Sequence, residues 1–367
     1  MNPPQKSSAS RLLFLDWLRA WALLVMVETH VSNAFLLSEI RAAGWFRAVN
    51  FFNGLVAPAF LFVSGFVFLV AAQKRLEELR GLGRPFWRQV GRVGMVWAIG
   101  YLMHLPSYSP LALARGVTED QWLSFYRVDV LHAIAATWIF LLLSLIVVRS
   151  ERWQSLWFAG CAVALTAFAP LVWSIEFRPF LPAPLAAYLN IKTGSLFPLF
   201  PWSAFMLAGA AFASWFVGAR RRDMERPFML QLAGLGIACL LVGQFSGPFR
   251  FLPEAASTNW WADPRAFLLR LGIVLLLLGA CYCYGLARTP RKSPLLDVSR
   301  ESLFVYVAHL LLIYGPFWGG RSTAEVVGRT QGPVTCLVAS VALASLMVAG
   351  ARAWSALKQR KILPHGR

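Results

Sequence analysis

Ten stretches of this chain are apolar enough and long enough to cross a hydrocarbon core of about 30 Å. They run approximately over 12–33, 49–72, 86–105, 130–148, 155–174, 196–218, 228–246, 266–287, 301–319 and 332–354. Lipid offers nothing to hydrogen-bond exposed backbone, so stretches of this kind fold as helices. The expected fold class is an all-α polytopic integral membrane protein of about ten transmembrane helices. Composition agrees, with 58% hydrophobic and 14% charged residues, where soluble domains hold about 45–50% and 25%. No soluble domain fits between the stretches, and no repeat of 20–50 residues is visible. Residues 1–367 read as a single transmembrane domain with short tails, about 1–11 and 355–367.

The formal net charge is +18, but the Lys and Arg residues lie mostly between apolar stretches. They therefore read as topology signals, and no nucleic acid is expected as a partner. One alternate set of connections and tails holds 22 of the 35 Lys and Arg residues and the other set holds 10. The richer set faces the cytoplasm, which places both termini there and agrees with an even number of crossings. The first apolar stretch carries Asp16 and Arg19 and is followed by no small-residue cleavage site. It is expected to remain as the first helix in the bilayer. The longest outer connections, about 106–129, 175–195 and 247–265, are rich in Pro and Trp and suit short surface helices. The five cysteines all fall in apolar stretches and show neither metal nor disulfide spacing.

The first stretch, RLLFLDWLRAWALLVMVETHVSNAF, is more polar than an anchor requires. An ionisable group at membrane depth costs roughly 2.5–3.5 kcal/mol or more, so it turns towards protein or a wet cavity. On a helix, Arg19 and His30 differ by only about 20° in azimuth and stand about 16 Å apart along the axis. Asp16 and Asn33 fall within about 60° of the same stripe, while Glu28 points away. One face is thus polar at two depths, like the wall of a site.

The topology puts His30, His104 and His132 at the outer side and His309 about 12 Å into the ninth span. Only His365 lies elsewhere. A neutral imidazole can take a proton from a hydroxyl or amine attacking a thioester and return it to the leaving group, or can itself be acylated. None of the histidines shows the i, i+4 pairing of a helical zinc site, so no metal is expected. Asp129 precedes His132 by one helical turn and could orient that ring or start the helix. Ser64, in FLFVSGF, is a further polar group on an apolar stretch, and Arg270 and Tyr306 are further candidates. Arg220, Arg221, Arg222 and Arg226 form a cytoplasmic cluster able to hold the phosphates of a soluble donor.

Arg19, ten intervening residues and His30 resemble the motif of the membrane acyltransferase-3 family, whose first-helix Arg and His are a functional pair. FLFVSGF at 60–66 is similar to the second-helix segment of those enzymes. FLDWLRAWALLVMVETH (14–30), APAFLFVSGF (57–66), RVDVLHAIA (127–135), FPLFPWSAFMLAGA (197–210) and SRESLFVYVAHLLLIYG (299–315) resemble bacterial relatives of heparan-α-glucosaminide N-acetyltransferase. The resemblance implies a transmembrane acyltransferase that takes an acyl group, most simply acetyl, from cytoplasmic acyl-CoA. It places that group on a hydroxyl or amine of an extracytoplasmic sugar. The heparan enzyme carries Asn at the position of His30 and its catalytic His in the following outer loop. This chain has no His between 31 and 103, so the role falls on His30, and the heparan acceptor is not carried over. The resemblance also implies a bacterial inner membrane as the setting. A proton-coupled transporter or flippase of an amphipathic solute is the alternative that the same buried charges allow. A non-catalytic membrane partner is the third class.

Overall fold

The computed structural model describes residues 12–114, 116–247, 259–287, 293–318 and 320–362. The N-terminal eleven residues, most of the outer connection 247–265 and His365 therefore lie outside the described part. Helices occupy all ten expected stretches: α1 (Leu13–Phe35), α2 (Val56–Gln73), α3 (Arg84–Met103), α4 (Val130–Val147) and α5 (Glu151–Ser174). They continue with α6 (Leu199–Arg220), α7 (Glu225–Phe245), α8 (Pro264–Ala287), α9 (Ser302–Tyr314) and α10 (Pro333–Ile362). A separate helix, Gly44–Asn53, precedes α2 in the sequence. Seven helices are long and apolar enough to cross a membrane by length and composition: the Gly44–Gln73 pair, α4, α5, α6, α7, α8 and α10. α1 and α3 carry too much charge or polarity for that test, and α9 is short, with 13 residues. The expected stretch 301–319 thus yields a helix that stops at Tyr314, where Gly315 turns into extended backbone ahead of Pro316. α10 continues to Ile362, so much of the expected C-terminal tail is helical. Short helices Pro110–Ala114, Glu119–Phe125 and Ala183–Ala186 occupy two of the outer connections.

The chain forms two compact units, Met1–Asn53 with Leu277–Arg367, and Gly54–Leu276. In the first, α1 packs on α9, on the short helix Pro294–Arg300 and on α10. Contacts at both ends set the directions. Ser299 Oγ donates to Asp16 near the start of α1, and Tyr314 reaches His30 near its end, so α1 and α9 run parallel. Gln331, just before α10, exchanges backbone bonds with Phe35 and Leu37, while Lys358 pairs with Glu301, so α10 runs antiparallel to both. The start of α1 and the end of α10 therefore lie at one end of this unit. Val31, Ala34, Leu36, Phe46, Ile313 and Cys336 form the core at its other end.

In the second unit, α6 is the central helix and packs on α2, α4 and α5. Two glycines allow the closest crossing. A Cβ on Gly65 would run into the backbone of Met206, and one on Gly209 into the backbone of Phe62. Small residues of this kind let membrane helices approach until backbone touches backbone, and close packing replaces the hydrophobic drive that lipid removes. Exposed large apolar side chains are common on these helices, as at Val163, Phe168, Leu230 and Phe245.

Candidate functional site

α1 forms because its 23 residues hold no Pro or Gly and bury Leu15, Leu18, Ala22, Leu23, Val27 and Val31 over more than half of its circumference. Asp16 is buried and accepts a 3.0 Å hydrogen bond from Ser299 Oγ, a partner that lies 283 positions away. Arg19 is half-buried one turn further on. Glu28 turns aside, as its azimuth requires, and accepts a 2.6 Å bond from Ser32 Oγ.

At the far end of α1, His30 meets α9. Its ring centroid lies 5.3 Å from that of His309 and 5.8 Å from that of Tyr314. His309 is fully buried, and its Nδ1 stands 2.6 Å from the Val305 carbonyl oxygen. A carbonyl only accepts, so the hydrogen is assigned to Nδ1 and the lone pair of the neutral ring to Nε2. That Nε2 is buried and has no hydrogen-bond partner among the described residues. A buried imidazole held in one tautomer, its basic nitrogen unspent beside a second imidazole, is an arrangement for receiving and passing protons. Tyr306 adds an edge-on contact to His309 at 6.0 Å. The Tyr314 hydroxyl donates a long 3.4 Å bond to the His30 carbonyl.

Asn33, three residues beyond His30, is a point of convergence. Arg41 Nη1 donates to Asn33 Oδ1 at 2.9 Å and to the Ser32 carbonyl at 3.1 Å, while Arg329 Nε donates to the Asn33 carbonyl at 3.3 Å. Both arginines belong to connections where sequence inspection sees only loop charge.

A second polar cluster lies within the other unit. Asp129 is the N-cap of α4 and accepts from the backbone N–H of Leu131 at 2.9 Å and of His132 at 3.1 Å. His132 Nδ1 lies 2.7 Å from the same oxygen, and His104 Nε2 lies 3.4 Å from the other. Burial pushes the Asp129 carboxyl upward, but the hydrogen bonds from His104 and His132 outweigh it and hold the group well below its ordinary range. Both readings of Asp129 therefore coexist, since it caps the helix and orients the ring. The His132 ring lies where a Cβ on Gly100 would stand, 2.8 Å from Cε1, which accounts for glycine there. The ligand atoms of His104, Asp129 and His132 come within 4.8 Å of one another. Burial, with a hydrogen bond to Tyr101, pushes the nearby Tyr188 hydroxyl up.

Ser64 spends its hydroxyl on the Phe60 carbonyl at 2.7 Å, a bond within its own helix. Arg270 is buried with its guanidinium 3.8 Å from the centroid of Trp261. In the arginine cluster, Arg221 is paired with Glu151 at 2.8 Å and Arg220 with Glu225 at 3.5 Å. Arg222 lines a cavity of about 900 Å³ between α5, α6 and α7, together with Arg152, Trp215, Phe228 and Gln231. Arg226 is exposed on the first turn of α7.

The structure thus brings His309 and Tyr314 to His30, Asp129 to His132, and Arg222 to a cavity. The pairing of Ser299 with Asp16 and of Arg41 and Arg329 with Asn33 has no local sequence signal. A family model described as "Heparan-alpha-glucosaminide N-acetyltransferase, catalytic" matches residues 11–246, and no curated protein matches the chain. Arg19, His30, Asp129, His132 and the arginine cluster fall inside that match, while the 299–315 segment with His309 falls beyond it.

Proposed function

The chain belongs to the heparan-alpha-glucosaminide N-acetyltransferase catalytic family, and on that premise we propose that it is a membrane-bound acetyltransferase of extracytoplasmic glycans or glycolipids. In this reading about ten helices cross a bacterial inner membrane with both termini in the cytoplasm. The common end of α1 and α10, and the excess of basic residues in one set of connections, support that orientation. The His30–His309 pair then stands towards the outer side.

The donor is acetyl-CoA, entering from the cytoplasm. In this reading the cytoplasmic arginines Arg220, Arg221, Arg222 and Arg226 receive its phosphates, the first two being partly neutralised by their carboxylates. Arg19 holds negative charge on the donor below His30, as the Arg–His spacing of the acyltransferase-3 pattern implies. His30 takes the proton from the acceptor hydroxyl or amine as its oxygen or nitrogen attacks the thioester carbonyl. The C–S bond breaks, the acetyl group passes to the acceptor, and the proton returns to the departing CoA thiolate. His309, with Nδ1–H tied to Val305, offers Nε2 as the neighbouring proton store. The alternative in which His30 carries the acetyl group transiently uses the same pair.

The observation that carries this reading is the contact of two imidazoles from α1 and α9, the second locked in one tautomer. The test is purified protein in lipid nanodiscs with labelled acetyl-CoA and a panel of cell-envelope sugars. His30→Ala is expected to abolish transfer while the protein stays folded and membrane-inserted. Undiminished acetylation by that variant would refute the assignment. Label kept on wild-type protein without acceptor would mark the carrier route.

A further inference from the structure

Arg41 and Arg329 come from different connections of the chain, yet both guanidiniums are hung on one residue, Asn33. Neither forms an ion pair with a carboxylate among the described residues. A guanidinium carries five N–H donors. The bonds to Ser32 and Asn33 use two on Arg41 and one on Arg329, which leaves three and four without an acceptor among the described residues. Like charges brought this close repel. Burial first, and then the charge of Arg329, push the Arg41 guanidinium below its ordinary range. The Tyr314 hydroxyl, within the field of both arginines, adds a donor that is only loosely engaged at 3.4 Å. Capping the end of α1 takes one donor from Arg329 and two from Arg41 and leaves the rest of both guanidiniums unused by the fold among the described residues.

We propose that Arg41, Arg329 and Tyr314 form an oxyanion subsite beside His30 that holds a phosphate group of the acceptor. This rests on the acetyltransferase reading above and narrows its acceptor to phosphate-bearing sugars or glycolipids. Charge decides the choice of anion. Two guanidiniums match a phosphate monoester at about −1.5 to −2, whereas a carboxylate would leave one of them uncompensated. Fork-shaped donors also suit tetrahedral oxygens, which accept two bonds from one arginine. Tyr314 lies within the field of both arginines and in contact with His30, so an anion held by the three groups brings the attached sugar to the imidazole pair. The binding energy of this remote group would be spent on positioning the attacking atom.

The test measures binding, not turnover. Full-length protein in phosphatidylcholine nanodiscs is titrated calorimetrically with glucosamine 6-phosphate, glucosamine, inorganic phosphate and CoA. Glucosamine 6-phosphate is expected to bind at least tenfold more tightly than glucosamine, both to wild type and to His30→Ala. Arg329→Gln, a change at an exposed residue, should remove that preference, and Arg329→Lys should keep part of it. Arg41→Gln should act likewise, with a melting curve to show that the end of α1 remains folded. Equal binding of the two sugars, or an unchanged preference in the arginine variants, would overturn the proposal. So would inorganic phosphate binding as tightly as the sugar phosphate, which would make this a site for free anion. Displacement of the sugar phosphate by CoA through the same arginines would also overturn it, by giving the subsite to the donor. Wild-type protein that binds the sugar phosphate but transfers no acetyl group would leave the subsite standing and sink only the transferase reading.

Discussion

Replacing His309 by asparagine removes one lone pair and keeps one hydrogen bond. The asparagine amide nitrogen falls near the place of the imidazole Nδ1 and can still donate to the Val305 carbonyl, now 2.6 Å from that ring. Nothing takes the place of Nε2. Stability should change little, because the partnerless Nε2 already carries a desolvation penalty of about 1–3 kcal/mol that the substitution relieves. That relief offsets the packing lost with the smaller side chain. Catalysis should change much more. A positioned acid–base group contributes about 10²–10⁴-fold, or roughly 3–5 kcal/mol of barrier at 1.36 kcal/mol per tenfold. His309→Gln breaks the bond to Val305 as well and should lose both activity and order in α9. The assay is single-turnover transfer from labelled acetyl-CoA, with melting temperature measured on the same preparations. If the two imidazoles act as a unit, the double variant His30→Ala, His309→Asn should be no slower than the slower single one. Wild-type rates in a folded His309→Asn protein, or losses that simply multiply in the double variant, would refute the paired-imidazole mechanism.

Two further predictions concern the scaffold. Gly209→Ala should lower stability by about 1–3 kcal/mol, because the new methyl meets the Phe62 backbone, which cannot turn away as a side chain can. Gly234→Ala, with nothing within 4 Å of its added Cβ, serves as the control, and equal melting temperatures for the two variants would contradict the close crossing of α2 and α6. Asp129→Asn should cost about 1–3 kcal/mol at neutral pH by weakening an N-cap and its charge-assisted bonds to two imidazoles. The native carboxyl is held below its unfolded value of about 3.9, so its contribution is complete above that pH and drains away as pH falls further. The gap in melting temperature between wild type and variant should therefore narrow below about pH 4; a gap that widened there would reverse the assigned sign.

Hydropathy is a local property, and for that reason the helices were legible one stretch at a time. Each expected apolar stretch holds a helix, and the polar stripe of α1 is present with Glu28 turned aside, because 3.6 residues per turn fixes azimuth without reference to any neighbour. Asp129 and His132 were legible for the same reason, being one turn apart at a helix start. Where α9 ends was decided by Gly315 and Pro316, a backbone effect that an average over apolar residues smooths away.

The site itself was only half written in that local pattern. Arg19 and His30 share a helix, and their spacing needs no fold to be read. What His30 touches comes from 279 and 284 residues further along, and Arg329 reaches Asn33 across 296. Such contacts depend on which helices lie side by side and in which direction, and spacing within one stretch carries no information about that. The tautomer of His309, its partnerless nitrogen and the two arginines gathered on one asparagine exist only once α1, α9 and the chain before α10 are packed together.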